Sequence, residues 1–188
     1  DIAAGANDAL LIAYPGLRSG EVNIAGTGSV VGNDIYGRYL LCRDSLCRLD
    51  FITGWNYTRV TDQIQINTSS TVTEIGGNVP VGTNSSTVDN FSATNTFNGG
   101  ILGLEWQRDC GVWQSRVLAR MSIGNMHEQI QITGSSRVTV PGQTPVTNNG
   151  GVFTTASNIG AQSRNEFTAI TELGYTLAYR FAPNTQLT

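Results

Sequence analysis

The chain has 188 residues, of which 22 are glycine and only 13% are charged, and its formal net charge is −3. Soluble domains usually carry about 25% charged residues, so this composition argues against an ordinary water-facing surface. Hydrophobic residues make up 39% of the chain, which argues against disorder. The basic residues are all arginine and form no run, which argues against nucleic-acid binding by bulk charge.

Five segments alternate between apolar and polar residues with a period of two, which is the pattern of β-strands. They cover residues 29–42, 47–60, 98–107, 112–124 and 166–181. The last is the clearest, because Phe167, Leu173, Tyr175 and Tyr179 all fall on one face of an extended chain. A helix would mix the two sets, since its period is 3.6 residues.

The connections between these segments are alternately short and long. Residues 43–46, 108–111 and 182–185 contain the Asp, Gly, Pro and Asn residues expected of hairpin turns. Residues 67–89 and 135–164 are predicted as long connections rich in Ser, Thr, Gly and Asn, although β-prone runs within them indicate that the strands continue beyond the apolar zone. Short turns on one side and long loops on the other are typical of outer-membrane barrels.

The predicted fold is therefore all-β, an antiparallel up-and-down meander that forms part of a transmembrane β-barrel. Each alternating segment reaches the 9–11 residues, roughly, that a tilted strand needs to cross a bilayer. No apolar stretch is long enough for a transmembrane helix, and we expect no signal peptide within residues 1–188. We expect residues 1–188 to form a single β-barrel domain that is incomplete at both ends, because small barrels need about 8 strands.

Three cysteines are too few for a disulfide-stabilised scaffold. Cys42 and Cys47 flank the first predicted turn, so a disulfide across the hairpin and a pair of free thiols are both open alternatives. Cys110 lies in the second turn, and its redox state is equally open. Since the sequence has no CxxC pair, we expect no zinc site.

Charged residues concentrate on the face of each strand opposite the apolar one. We predict that they line the lumen of the barrel, where they form cross-strand ion pairs that either border an aqueous pore or fill a packed interior. The predicted lumen-lining residues are Asp34, Arg38, Arg48, Asp50, Glu105, Arg116, Arg120, Glu166, Glu172 and Arg180.

His127, the one histidine, is the residue that a catalytic hypothesis would need as its base. No Gly-x-Ser-x-Gly motif accompanies it, and it lies where a strand leaves the apolar zone. We interpret His127 as an exposed polar residue. The sequence accordingly predicts no enzyme, no catalytic residues, no metal site and no cofactor.

Several short motifs resemble the β-barrel porin families of bacterial outer membranes. They are Leu-Asp-Phe-Ile-Thr-Gly-Trp-Asn-Tyr at residues 49–57, Asp-Asn-Phe at 89–91, Thr-Asn-Thr-Phe-Asn-Gly-Gly at 94–100 leading to Gly103, and Glu-Leu-Gly-Tyr at 172–175. The resemblance covers most of residues 20–188 and implies structural roles for these motifs, with porin-like passage as the implied activity.

The first functional hypothesis is a porin-like barrel that passes small solutes or forms an envelope scaffold. The alternative is a structural or adhesive β-protein of a surface layer or fibre, which would have no channel. Under the first hypothesis the chain lies in a bacterial outer membrane with lipid around it. A second copy of the chain and other envelope proteins are candidate partners, whereas nucleic acid is not.

Overall fold

The structure is a computed structural model that describes residues 12–74, 79–182 and 185–187. The residues within these ranges form β-strands and turns, and they include no helix long and apolar enough to cross a membrane. The strands are β1 (Arg18–Arg43), β2 (Cys47–Val72), β3 (Asn84–Cys110), β4 (Trp113–Thr139), β5 (Val146–Asn149), β6 (Gly160–Ala182) and β7 (Thr185–Leu187).

The strands form one sheet in which neighbours along the chain are also neighbours in space. Their order is β1-β2-β3-β4-β6-β7, and the short β5 pairs with β4 outside this path. The pairing is that of an antiparallel meander, so the predicted all-β, up-and-down fold is confirmed. Within the described residues the sheet is open, with β1 and β7 as its two edges.

Two of the predicted short turns are tight hairpins. In the first, the Asp44 amide donates a 2.8 Å hydrogen bond to the carbonyl of Cys47. In the second, Gly111 has a φ of 63°, a left-handed conformation that glycine adopts without steric cost. Pro183 and Asn184 of the third predicted turn lie outside the described residues, and β6 pairs with β7 antiparallel on either side of them.

The strands are longer than the alternating segments of the sequence. The structure extends five of their ends, to Arg18 in β1, Val72 in β2, Asn84 in β3, Thr139 in β4 and Gly160 in β6. Both ends of the predicted loops 67–89 and 135–164 are thus strand, which confirms that the strands continue past the apolar zone. Polar residues support these extensions by pairing across strands, as the buried hydroxyls of Thr68 and Thr87 do at 2.6 Å.

The chain divides into two compact units. Unit 1 comprises Asp1–Ser29, Thr61–Thr94 and Gln129–Ser163, and unit 2 comprises Val30–Val60, Asn95–Glu128 and Arg164–Thr188. Strands β1–β4 and β6 each contribute residues to both units. The expected single barrel domain stays a prediction.

Unit 2 presents two chemically different faces. Arg120 of β4 meets Glu172 of β6 on one side, and Trp113 of β4 meets Tyr179 of β6 on the other. We call the first side the charged face and define it by Asp34, Arg38, Asp50, Glu105, Arg120 and Glu172. The opposite side is the apolar face, which carries Trp113, Leu173, Tyr179 and further large apolar residues of unit 2.

Unit 1 has polar strands and one well-ordered connection. Its buried residues include Thr68, Ser70, Thr87, Asp89 and Thr154. The connection between β5 and β6 folds back so that the carboxylate of Asp89 on β3 receives hydrogen bonds from residues 152–154. Hydrogen bonds therefore replace apolar burial as the source of order in this unit.

Cys42, Cys47 and Cys110 are free thiols in this structure, and Cys42 and Cys110 are exposed. The two alternatives for Cys42 and Cys47, a disulfide across the hairpin and a pair of free thiols, stay predictions.

Candidate functional site

The apolar face of unit 2 consists of large side chains with no protein packed over them. Leu173 is 83% exposed and Phe167 is 80% exposed, values that are unusual for residues of this size. The exposed apolar residues of this face are Ile35, Tyr39, Leu41, Trp55, Leu102, Leu104, Trp106, Trp113, Val117, Met121, Phe167, Leu173, Tyr175, Leu177 and Phe181. A contiguous patch of this extent indicates contact with another apolar medium.

The apolar face is about as long, measured along the membrane normal, as the hydrocarbon core of a bilayer is thick. From Phe167 to Tyr179 the strand advances twelve residues, which is about 40 Å at about 3.3 Å per residue. A barrel strand tilts by roughly 35–45°, so this length projects to about 30 Å along the membrane normal. The hydrocarbon core of a bilayer is about 30 Å thick. The apolar face therefore has the dimensions of a transmembrane belt.

Aromatic rings cluster at the end of this belt near the short turns. Tyr179 contacts Trp113 with ring centroids 4.8 Å apart and Phe181 with centroids 4.7 Å apart, both edge to face. Amphipathic aromatic rings favour the boundary between lipid and water, where barrels carry an aromatic girdle. The cluster has the composition of such a girdle.

Polar side chains replace apolar ones at the other end of the belt. Asn165 accepts a hydrogen bond from Asn125 at 3.2 Å and lies 2.9 Å from Nδ1 of His127. All three side chains are exposed. His127 is therefore the exposed polar residue that the sequence predicts, and its observed partner is an amide with no nucleophilic character.

The charged face of unit 2 carries two groups of ion pairs. In the first group, the carboxylate of Glu105 lies 2.8 Å from Arg38 and 3.7 Å from Arg116. Arg48 pairs with Asp50 at 2.9 Å in the same unit. Asp50 and Glu105 are almost fully buried, whereas the three arginine side chains are 40–47% exposed. The carboxylates thus lie at the base of the group and the arginines extend away from the sheet.

The second group is centred on Arg120, which links three strands. Its guanidinium lies 2.8 Å from Asp34 of β1 and 2.5 Å from Glu172 of β6. Asn56 of β2 also donates a hydrogen bond to Asp34. One cation therefore links carboxylates of β1 and β6, two strands that are not neighbours in the sheet, by charge-assisted hydrogen bonds.

The last two predicted residues differ in their surroundings. Glu166 pairs with Arg164 at 3.1 Å, and Arg164 also pairs with Glu128. Arg164 lies beyond the belt, and its pKa is raised by the hydrogen bond and the charge of Glu128 and by the charge of Glu166. Among the described residues Arg180 has no ion-pair partner, although its backbone amide donates to Val112.

The predicted lumen-lining set leaves out two residues of the charged face, Tyr36 and Glu128. Tyr36 lies between two arginines, since Arg38 and Arg120 both approach its ring centroid at 5.9 Å. Tyr36 alternates with Asp34 and Arg38 in the sequence, so its position was readable, but its contact with the distant Arg120 was not. Glu128 continues the even-numbered set of β4 beyond Arg120 and could have been found by following that alternation further.

The charged face also contains three buried apolar residues. Ile52, Phe97 and Ile101 are at most 1% exposed. Ile52 alternates with Asp50 on β2, and Phe97 and Ile101 alternate with Glu105 on β3, which assigns all three to this face. The charged face is therefore part polar and part closely packed.

The chain was compared with known proteins and protein families. No curated protein matches it. The family model described as putative beta barrel porin-7 (BBP7) matches residues 1–188, the whole chain. The match agrees with the open antiparallel meander and with the apolar and charged faces of unit 2. The chain belongs to this β-barrel porin family.

Proposed function

We propose that this chain forms part of the wall of an outer-membrane channel through which small solutes pass. The observation that carries the proposal is the division of unit 2 into a belt of membrane height and an opposite face of paired charges. Lipid would surround the belt, and the charged face would border an aqueous lumen. Membership of a porin family supports both assignments.

The charge balance of the proposed lumen favours passage without strong discrimination between anions and cations. The ten predicted lumen residues comprise five arginines and five carboxylates. Arginines that are 40–47% exposed remain hydrated while they pair with the carboxylates beneath them. Pores select ions by rings of like charge, and a balanced face offers a weaker preference. We infer that size, more than charge, governs passage.

The same reasoning gives the surroundings of the protein. The belt supports location in a bacterial outer membrane, with lipid as its main partner. A further copy of the chain or another envelope protein are candidate partners, and nothing in the face chemistry favours nucleic acid. The porin family supports a non-enzymatic role.

Channel recording tests the proposal. The purified protein is inserted into planar lipid bilayers, and its conductance and ion preference are compared with those of the Arg116→Gln, Arg120→Gln double variant. We expect a conducting wild type and a variant whose ion preference shifts towards cations, because two positive charges are lost. Arg137→Gln, which changes an exposed arginine of unit 1, is the matched control. Unchanged currents in the double variant would contradict a pore-lining role for these arginines.

An envelope scaffold without a channel is the second candidate. It is favoured by the burial of Ile52, Phe97 and Ile101 on the charged face, because closely packed apolar side chains fill an interior. Under this hypothesis the protein inserts into membranes and resists denaturation but carries no current. Bilayer insertion without conductance, in the wild type and in Phe97→Ala alike, would favour the scaffold over the channel.

A further inference from the structure

The charged side chains on the apolar side of unit 2 are of one sign along β2, β3, β4 and β6. Successive side chains of a strand point to opposite faces, so this side comprises the odd-numbered residues of β2, β4 and β6 and the even-numbered residues of β3. Of the Arg, His, Asp and Glu residues that the structure describes there, all are basic: Arg59, Arg108 and His127. The aspartates and glutamates of the same strand segments belong to the opposite side. A lipid-facing surface with this charge complements anionic headgroups.

The register of β2 and β3 places Arg59 opposite Thr96. The Asp109 amide donates a 2.7 Å hydrogen bond to the Leu46 carbonyl, which sets these two residues opposite each other. Arg59 lies thirteen residues after Leu46, and Thr96 lies thirteen residues before Asp109. The paired threonine hydroxyls further along the same two strands give the same register.

The neighbouring strands continue this line of residues. Gly124 of β4 lies against Gly99 of β3, so His127, three residues further along β4, lies opposite Thr96. On its other side, Nδ1 of His127 lies 2.9 Å from the side-chain oxygen of Asn165 on β6. We call Arg59, Thr96 and His127 the basic row, since they lie side by side on three neighbouring strands.

The basic row lies just beyond the end of the apolar belt. Asn165, beside His127, precedes Phe167 by one position on the same side of β6, and Phe167 is where the belt begins. Two residues of a strand advance about 6.6 Å, which is about 5 Å along the membrane normal at the tilt of a barrel strand. The headgroup region on each side of the hydrocarbon core is about 5–8 Å thick. The row is therefore at the depth of lipid headgroups.

The basic row offers polar groups that a ligand can bind. Arg59 is exposed, and in the part of the chain that the structure describes its guanidinium has no ion-pair partner. His127 is exposed as well, and because Nδ1 donates to the oxygen of Asn165, Nε2 remains for a ligand. Neighbouring strands lie about 4.8 Å apart, so the Cα atoms of Arg59 and His127 are about 10 Å apart with the Thr96 hydroxyl between them. A single tetrahedral anion fits this spacing, since the long arginine side chain covers much of it.

We propose that the basic row binds the phosphate of an anionic lipid, whose acyl chains lie along the apolar face. The inference rests on the proposed location of the protein in a membrane and adds a specific lipid to it. The Arg59 guanidinium pairs with two phosphate oxygens, the Thr96 hydroxyl donates to the phosphate, and the protonated imidazole of His127 donates from Nε2. A free phosphate has the same oxygens but no acyl chain to bury against the belt, which assigns the site to a lipid.

Native mass spectrometry of the full chain in detergent tests the site. The protein is titrated with dimyristoyl phosphatidic acid and, separately, with dimyristoyl phosphatidylcholine, which has the same acyl chains and a zwitterionic headgroup. The variants are Arg59→Gln, His127→Gln and the double variant. Arg180→Gln is the matched control, because it removes an exposed arginine of the same unit from the opposite side of the sheet. The heat-dependent shift of the gel band verifies that each variant is folded.

We expect the wild type to bind phosphatidic acid at least about tenfold more tightly than phosphatidylcholine, because the bonds to the phosphate are charge-assisted. Arg59→Gln should weaken the binding of phosphatidic acid about fivefold, the effect of one basic residue at an anionic lipid surface, and the double variant should weaken it further. Arg180→Gln should match the wild type although it loses the same charge. Equal weakening by Arg59→Gln and Arg180→Gln would overturn the site, since net charge alone would then explain binding.

Further outcomes separate the lipid site from a free-phosphate site and from the channel. Excess inorganic phosphate should leave bound phosphatidic acid in place, and its displacement would overturn the assignment to a lipid. A conducting wild type that binds the two lipids equally would remove the lipid site and leave the channel. A wild type that carries no current but loses phosphatidic acid on Arg59→Gln would remove the channel and support the lipid site.

Discussion

Trp113 and Tyr179 face each other across β4 and β6, with ring centroids 4.8 Å apart and ring planes 65° apart. On the reverse side of the same two strands, Arg120 pairs with Glu172. In each pair the two residues lie directly opposite each other, in the same antiparallel register of β4 and β6. The backbone hydrogen bond from the Arg180 amide to the Val112 carbonyl fits this register as well. A slip of one residue would exchange the faces, so these two strands have one register that places the aromatic pair on one side and the ion pair on the other.

Leu173 tests the assignment of the belt. It is 83% exposed near the middle of the apolar face, and arginine at the bilayer midplane costs about 2–4 kcal/mol in a barrel. We expect Leu173→Arg to lower the free energy of unfolding by that amount in lipid vesicles, as measured by denaturant titration. Gln131→Arg, at an exposed site of β4 in unit 1, should change it little. Equal effects of the two substitutions would contradict a lipid-facing belt.

Arg120 tests the ion-pair group that links β1, β4 and β6. Its side chain is 20% exposed, and its loss leaves Asp34 and Glu172 without their cation. We expect Arg120→Gln to destabilise the folded protein by about 1–2 kcal/mol, below the cost of breaking a fully buried pair because water reaches this one. Thermal unfolding followed by the heat-dependent shift of the gel band measures the change. Arg164→Gln removes a solvent-exposed pair and should leave the midpoint unaltered.

Gly124 tests the close approach of β3 and β4. A Cβ atom there would lie 2.7 Å from the carbonyl carbon of Asn98, and a strand backbone cannot yield as a flexible side chain does. We expect Gly124→Ala to destabilise the sheet by at least about 1–3 kcal/mol, the usual cost of overpacking, or to prevent assembly. Gly37→Ala is the control, since a Cβ there meets nothing within 4 Å. Yield of folded protein and unfolding midpoint are the measurements, and equal tolerance at both sites would refute the crowding.

The free thiols of Cys42, Cys47 and Cys110 give a chemical prediction. Protein unfolded in denaturant without reductant should take up three alkyl groups, because these three cysteines are free thiols in the structure. Intact-mass spectrometry counts the added groups, and a parallel sample treated with reductant is the control. One alkyl group without reductant and three with it would show that a bridge forms after all.

Much of the fold was readable from the sequence because strand alternation is a local property. Phe167, Leu173, Tyr175 and Tyr179 share one face of β6 in the sequence and in the structure alike. The short turns were readable as well, since Asp44 and Gly111 are residues that turns require. The sequence predicted that the strands continue beyond the apolar zone but did not give their ends near Thr68 and Thr87, because polar strands carry no apolar period and are held by partners from another strand.

The sequence by itself determined that alternate side chains of each strand meet different surroundings, since the chirality and pleat of an extended chain leave no other arrangement. Only the tertiary structure decided which charges meet. Arg120 is separated from Asp34 by 86 positions along the chain, and Asp89 is separated from Thr154 by 65. Such contacts depend on the order, register and curvature of the strands, which are properties of the whole sheet and of no single segment.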